Sequence, residues 1–253
     1  INKLKIQKQD CIIHLAGYGQ PYKFTKYSLE TFELNTNTIV SLLKKTKKNG
    51  YFLYLSSSEI YSGLKNNWTE DKVGTANTDH PRSAYIQSKK SGEMLVNLYK
   101  KKLGINAKSI RLCLAYGPGN KKNDKRVMYQ FIDKALKDKK IKMLDSGVEK
   151  RSYIYILDTM ERMINILFFG NKNIYNIGGE EIISIKKLAE MKGKILKVPV
   201  ISPKNKQLNK IGAPPTAFVK NTFYNNEFEI KKLKKLSDGL KETIKWQKII
   251  NKF

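Results

Sequence analysis

Histidine and cysteine are almost absent from this chain, with two of each in 253 residues. Cys11, Cys113, His14 and His80 form no cluster in the sequence, so neither a disulfide framework nor a transition-metal site is expected. Both cysteines fall inside apolar runs that read as buried strands, where a thiol behaves as a small hydrophobe. That usage suits a reducing cytoplasm. An apolar run of about 18 residues occurs nowhere, which argues against a membrane-spanning helix. The opening stretch, Ile1-Asn2-Lys3-Leu4-Lys5, has neither an initiator Met nor the apolar core of a signal peptide.

Arginine is scarce too. Lys and Arg total 49 against 22 Asp and Glu, a net charge of +27, yet arginine occurs only at positions 82, 111, 126, 151 and 162. Guanidinium is the group that grips phosphate bidentately and reads bases. The lysines are spread over presumed polar helix faces such as Lys44-Lys45, Lys100-Lys101-Lys102 and Lys137 to Lys140. This reads as a solvated surface and not as a nucleic-acid stripe; no nucleic-acid partner is expected.

Hydrophobic residues at 40% and aromatics at 10% mark a globular chain. Its first half alternates short apolar runs with helical patterns, the signature of parallel βαβ units. Residues 10–17 read as a buried strand ending at Gly17. A helix is expected over 28–47, with Leu29, Phe32, Ile39, Val40, Leu42 and Leu43 facing inward. A strand over 51–55 runs into Ser56-Ser57-Ser58-Glu59. A helix from Ser83 to Gly104, a strand from Ala107 to Leu114 and the breaker Tyr116-Gly117-Pro118-Gly119 follow. Further helices are expected at 127–137, from an N-cap at Asp158, at 184–192 and at 237–250, with strands at 141–144, 153–156 and 175–177. Residues 202–222 read as a loop.

In open α/β sheets, reactive groups gather at the carboxyl ends of parallel strands. Ser57 and Glu59 lie just past such an end. Tyr85 and Lys89, four apart on an expected helix, share one face. A tyrosine serves as a base near neutrality only if its phenolate is stabilised, since its reference pKa is about 10. A lysine one turn away does this, and its ammonium can also hold a ribose hydroxyl. The nearby serine hydroxyl can hydrogen-bond the oxygen being deprotonated. Hydride-transfer chemistry uses this arrangement, although Tyr-x-x-x-Lys alone is a weak signal in a lysine-rich chain.

Several stretches together resemble the extended short-chain dehydrogenase/reductase family of nucleotide-sugar epimerases, dehydratases and decarboxylases. They are Ile13-His14-Leu15-Ala16-Gly17, Asn35, Leu55-Ser56-Ser57-Ser58-Glu59-Ile60-Tyr61, Pro81-Arg82-Ser83-Ala84-Tyr85-Ile86-Gln87-Ser88-Lys89, and Arg111 with Tyr116-Gly117-Pro118-Gly119. Arg151-Ser152-Tyr153-Ile154-Tyr155-Ile156-Leu157-Asp158 and Tyr175-Asn176-Ile177-Gly178-Gly179 complete the series. The resemblance implies a Rossmann-like doubly wound parallel sheet, lacking its first strands, with a smaller C-terminal α/β substrate-binding region. It assigns residues 1–119 to the remainder of the NAD-binding domain and 120–253 mainly to substrate binding, with about 151–179 returning to the sheet. It makes Ser57, Glu59, Tyr85 and Lys89 catalytic. It places NAD against Leu15, Ala16, Gly17, Asn35, Ser56, Tyr85 and Lys89, and a nucleotide-diphosphate sugar against Ser58, Arg126, Val127 and Arg151. No metal is implied, and a homodimer through the Tyr/Lys helix and its neighbour is.

Family dehydratases carry an Asp where Ser58 stands, and a serine cannot deliver that acid chemistry. Ser57-Ser58-Glu59 is closer to the Thr-Ser-Glu of UDP-glucuronate decarboxylases, and Pro81-Arg82 and Asn123-Asp124-Lys125-Arg126-Val127 are similar to that subgroup as well. A C4 or C5 epimerase, or a 4,6-dehydratase with an altered acid, stays open, with Glu59 either a base at C5 or an orienting group. Arg82 and Arg111 fit structural ion pairs equally well, and Arg162 reads as a helix-surface residue. Leu114 stands where the family has a phosphate-binding Asn, and Lys220 where it has a second diphosphate-binding Arg. The family's Gly-x-x-Gly-x-x-Gly turn, due about 60 residues before Cys11, is absent. Three expectations follow from that: a truncated chain, inactive alone; a chain whose first strands a separate polypeptide supplies; or a non-catalytic remnant without cofactor binding.

Overall fold

The computed structural model describes residues 7–66, 68–203 and 212–251. In chain order the elements begin with β1 (Gln9–His14), α1 (Pro21–Lys26), α2 (Ser28–Leu34), α3 (Asn37–Leu43), β2 (Thr46–Ser57) and a single 3-10 turn, Ser58–Tyr61. Then come α4 (Ser83–Leu103), β3 (Asn106–Leu112), β4 (Leu114–Tyr116), α5 (Val127–Asp138), β5 (Ile141–Lys142), β6 (Lys150–Tyr155) and α6 (Ile156–Phe169). The chain continues through β7 (Ile174–Ile177), β8 (Ile182–Ser184), α7 (Ile185–Leu196), β9 (Val200–Ile201), β10 (Thr216–Ala217), α8 (Thr222–Glu227) and α9 (Leu236–Asn251). This is an α/β fold of the Rossmann-like kind. The expected opening residues 1–5 and part of the 202–222 loop lie outside the described residues.

The chain divides into two compact units. Unit 1 holds residues 1–113, 160–177 and 219–230; unit 2 holds 114–159, 178–218 and 231–253. Unit 1 carries the parallel sheet β1-β2-β3-β7. In unit 2, β6 pairs with β4 and β10 in parallel and with β8 antiparallel, and β5 pairs with β9. The segment that returns to the unit 1 sheet is therefore the later part of α6 together with β7, while β6 stays in unit 2.

Side chains alternate along β1 and β2. Ile12 and His14, in register with Phe52 and Tyr54, face the layer of Ile39, Leu42, Leu43, Val96 and Ile105 contributed by the helical side. Cys11 and Ile13 face the other way and are exposed, Ile13 by 45%. The expectation of a buried first strand is thus corrected. β1 is the edge of its sheet, and the helices α2, α3 and α4 cover only one of its faces.

The expected helix over 28–47 is also corrected: α2 and α3 are separate, and β2 already begins at Thr46. Leu29 and Phe32 are exposed; Ile39, Leu42 and Leu43 are buried. The break falls at Thr36, whose backbone (φ −128°, ψ −77°) leaves the helical region, while the adjacent Asn35 side-chain amide donates to Ser88 Oγ at 3.1 Å. Asp158 is not an N-cap. α6 starts at Ile156, and the Asp158 carboxylate instead accepts from the Lys234 backbone at 2.9 Å.

α4 is long because it is built mostly from good helix formers, with Lys100, Lys101 and Lys102 complementing the dipole at its end. Gly104 stops it in the left-handed conformation, φ 62°. Gly92 lets α4 close on β2: a Cβ there would lie 2.5 Å from the Tyr54 hydroxyl. Gly92→Ala should therefore lose about 1–2 kcal/mol in urea unfolding, although alanine is the better helix former by about 1 kcal/mol. Equal or greater stability would show that α4 does not need this approach.

Candidate active site

Three elements of unit 1 converge at the carboxyl end of β2: the strand end itself, the 3-10 turn and the first turns of α4. Ser57 caps the turn, its Oγ accepting from the Glu59 backbone N–H at 3.2 Å. Tyr85 and Lys89 project from one face of α4. The Tyr85 ring is 8% exposed and stacks on Phe24 of α1, with centroids 4.3 Å apart and planes 12° apart. Burial pushes the Tyr85 phenol up to about 12, while a hydrogen bond with Ser57 pulls it down.

Lys89 Nζ donates to the Leu55 carbonyl at 2.7 Å and lies 4.9 Å from the Tyr54 ring centroid and 5.6 Å from that of Tyr85. Burial holds its ammonium down at about 7, against the pull of Glu93. A tyrosine, a lysine one turn on and a serine hydroxyl thus meet within one unit. The arrangement can take a proton from an alcohol and steady the resulting negative charge.

Glu59 is ion-paired with Arg82 at 2.6 Å, and its second oxygen, Oε2, is buried without a hydrogen-bond partner. Arg82 also lies over the Phe24 ring, 5.6 Å from its centroid. Ser58 is buried beside Ser57, and the Ser56 hydroxyl donates to Glu93 at 2.6 Å. Leu15, Ala16 and Gly17, just past β1, are exposed. Asn35 is fully buried, its amide spent between Ser88 and, at 3.5 Å, the Tyr54 hydroxyl. Its side-chain oxygen lies 3.8 Å from where a Gly17 Cβ would stand.

The expected substrate residues Arg126, Val127 and Arg151 lie in unit 2. Arg126 precedes α5 and clamps the buried Asp124 carboxylate, Nη2 to Oδ2 at 2.6 Å. Val127 is the first residue of α5 and packs on the unit 2 core. Arg151 Nη1 donates to the carbonyls of Lys150 at 2.7 Å and Pro215 at 3.2 Å. Leu114, at the position of the family's Asn, packs against the cluster of Tyr116, Met128 and Tyr153.

The other arginines are structural. Arg111 forms a buried ion pair with Glu93 at 2.9 Å. Arg162 is corrected from a surface residue to a buried one, its guanidinium 4.6 Å from the Tyr224 ring centroid.

Sequence reasoning gave no role to Glu93 or Phe24, and none to His14 and Asp124 beyond their places in family-like stretches. Glu93 carried a readable signal, one turn beyond Lys89 on the same helix face. Phe24 carried none, because its meeting with Tyr85 joins residues 61 positions apart in sequence. Among the described residues no helix is long and apolar enough to cross a membrane, and no group of three or more His, Cys, Asp and Glu side chains could hold a metal ion.

These features fit the comparisons with known proteins. The chain matches the NAD dependent epimerase/dehydratase family over residues 1–178; it belongs to that family. It is 27% identical over 184 residues to UDP-glucuronic acid decarboxylase 1 of Xenopus tropicalis, covering 72% of this chain and 44% of that protein. Against UDP-glucuronic acid decarboxylase 6 of Arabidopsis thaliana the identity is 28% over 193 residues, covering 76% of this chain and 56% of that one. The chain thus spans about half the length of these curated relatives. Among solved structures, MoeE5 in complex with UDP-glucuronic acid and NAD shares the fold, with a TM-score of 0.82 at 16% identity over 98% of this chain and 83% of that one.

His14 gives a test of this packing. Its ring lies parallel to that of Tyr54, centroids 6.0 Å apart, and its Nε2 is buried without a hydrogen-bond partner. Burial, reinforced by the charge of Lys89, lowers its pKa from 6.5 to about 4. Between those values the unfolded chain binds a proton that the folded chain refuses, so stability falls as pH falls from 6.5 to 4. His14→Gln should flatten that part of the stability curve by about 2–3 kcal/mol in denaturant titrations. An identical pH slope in the variant would place the imidazole in water.

Proposed function

We propose that this chain carries the catalytic tyrosine, lysine and serine of an NAD-dependent nucleotide-sugar enzyme that oxidises C4 of the sugar, of the UDP-glucuronate decarboxylase kind. The observation that supports this most is the placement of Tyr85 and Lys89, one turn apart on α4, with the Ser57 hydroxyl near enough to the tyrosine to pull its pKa down. NAD, when bound, supplies the hydride acceptor. Lys89 and the exposed backbone of Leu15 to Gly17 fit its nicotinamide-ribose end. Its pyrophosphate has no glycine-rich turn in the sequence to receive it.

Within this reading Tyr85 takes the proton from the sugar 4-hydroxyl while Ser57 hydrogen-bonds the same oxygen. Tyr85 must be the phenolate before it can accept that proton, and the Lys89 ammonium stabilises that form. The C4 ketone then lies β to the carboxylate of a glucuronate, which loses CO2 without an added acid at Ser58. Arg126 and Arg151 are the cations of unit 2 proposed for the diphosphate, Arg126 after yielding part of its hold on Asp124. The identity with decarboxylases supports this substrate class. A second reading, proton removal at C5 in an epimerase or dehydratase, draws on the unpartnered Glu59 Oε2.

Calorimetric titration of the chain with NAD and with UDP-glucuronate tests the reading directly. Binding of the sugar nucleotide is expected, and absence of binding for both ligands would favour a non-catalytic remnant. In a form that turns over, Tyr85→Phe should cut kcat by about 100-fold or more. Full activity in that variant would remove Tyr85 from the chemistry.

A homodimer is proposed through α4, where Met94 and Leu98 lie one turn apart and are each 56% exposed. Sedimentation should show a dimer that Met94→Glu with Leu98→Glu converts to monomer. A monomeric wild type would end that proposal.

A further inference from the structure

Glu93 is the acidic group of the site that sequence reasoning left without a role. Its side chain is 5% exposed and follows Lys89 by one turn of α4. Arg111 Nε donates to its Oε1 at 3.0 Å and Arg111 Nη2 to its Oε2 at 2.9 Å; the 2.6 Å bond from Ser56 falls on Oε1. Ser56 sits between Leu55, whose carbonyl accepts from Lys89 Nζ, and Ser57 at the tyrosine hydroxyl. Carboxylate and ammonium are therefore anchored on the same strand end, either side of the reacting groups.

The groups facing Lys89 from the surrounding elements supply no other negative charge at neutral pH. His14 of β1 is neutral there, as are Tyr54 of β2, its phenol pushed well up by burial, and Tyr85 of α4 itself. Arg111 of β3 faces the carboxylate of Glu93, Tyr61 and Glu70 act on Arg111, and Lys90 feels both Arg111 and Glu93. In a site of low dielectric, one buried anion a helical turn away decides whether an ammonium is tolerated.

We propose that Glu93 is a positioning residue for the Tyr85–Lys89 pair: its carboxylate, held by Ser56 and Arg111, is the counter-charge that keeps the buried Lys89 ammonium charged beneath the tyrosine ring. The catalytic consequence rests on the function proposed above; the charge coupling rests on the packing alone. Arg111 has a share in this. By holding the carboxylate on both oxygens it fixes Glu93 in place one turn from Lys89, without a direct ion pair between the two.

The test is a titration of the Lys89 side chain in the whole chain, read from its Cε and Nζ resonances and assigned by their loss in Lys89→Arg. Glu93→Gln should lower the midpoint by about one pH unit or more, and Glu93→Asp should largely restore it. A folded Glu93→Gln chain with an unmoved midpoint overturns the proposal. If that variant does not fold, Glu93→Gln with Arg111→Gln exchanges the buried ion pair for neutral hydrogen-bonded amides, a replacement of the kind often tolerated. The lost Arg111 cation offsets part of the lost anion, so a smaller drop is expected of the double variant, and a midpoint at or above the wild-type value overturns the proposal. In a form that turns over UDP-glucuronate, Glu93→Gln should move the alkaline limb of the pH–rate profile to lower pH with KM unchanged. A wild type without turnover would count against the proposed function, while the titration would still decide the coupling.

Discussion

The carboxylate of Glu93 is buried where a helix meets two strands, and much of unit 1 depends on its being paired. Leaving one member of a buried ion pair alone costs about 3–5 kcal/mol, so helix and strands are bound to one arrangement. Ser56 reaches it from the end of β2 and Arg111 from the end of β3. Arg111 extends the constraint, donating through Nη1 to the Tyr61 hydroxyl and to the carbonyls of Glu70 and Lys72. Tyr61 in turn donates to the Asn176 side chain on β7, and the Asn176 backbone N–H donates to Glu70. One chain of polar contacts thus fastens α4, β2, β3, β7 and the loop after the 3-10 turn.

That frame explains why the reactive groups can be buried and still be placed. Burial disfavours the charged form of both groups, raising the phenol to about 12 and lowering the ammonium to about 7. Their positions are enforced by neighbours that do not react: Phe24 against the tyrosine ring, Leu55 at the lysine, and Tyr54 beneath it. Tyr54 is itself held by Asn35 and admitted by the missing side chain of Gly92. The residues of the site are thus few, while the residues that fix them come from α1, α2, β2 and the body of α4.

Much was legible in the sequence, and the reason is local. Tyr85 and Lys89 are four apart, and a helix of known period puts them on one face whatever surrounds it. The serine turn follows its strand directly, and Gly104 stops α4 by its own backbone freedom. Less legible were the limits of elements set by distant partners. α2 and α3 part at Thr36, where the backbone leaves the helical region, and Asp158 lies inside α6 with its carboxylate taken by the Lys234 backbone. Arg162 looked like a surface residue because nothing nearby in sequence announces Tyr224.

The sequence by itself determined the alternation of strand and helix and the tyrosine–lysine–serine set, since each depends on residue type and short-range spacing. Only the tertiary structure decided the charge state and surroundings of that set. Desolvation and Coulomb forces act through space, so the pairing of Glu93 with Arg111, the stacking of Phe24 on Tyr85 and the exposure of one face of β1 depend on which distant segments come together.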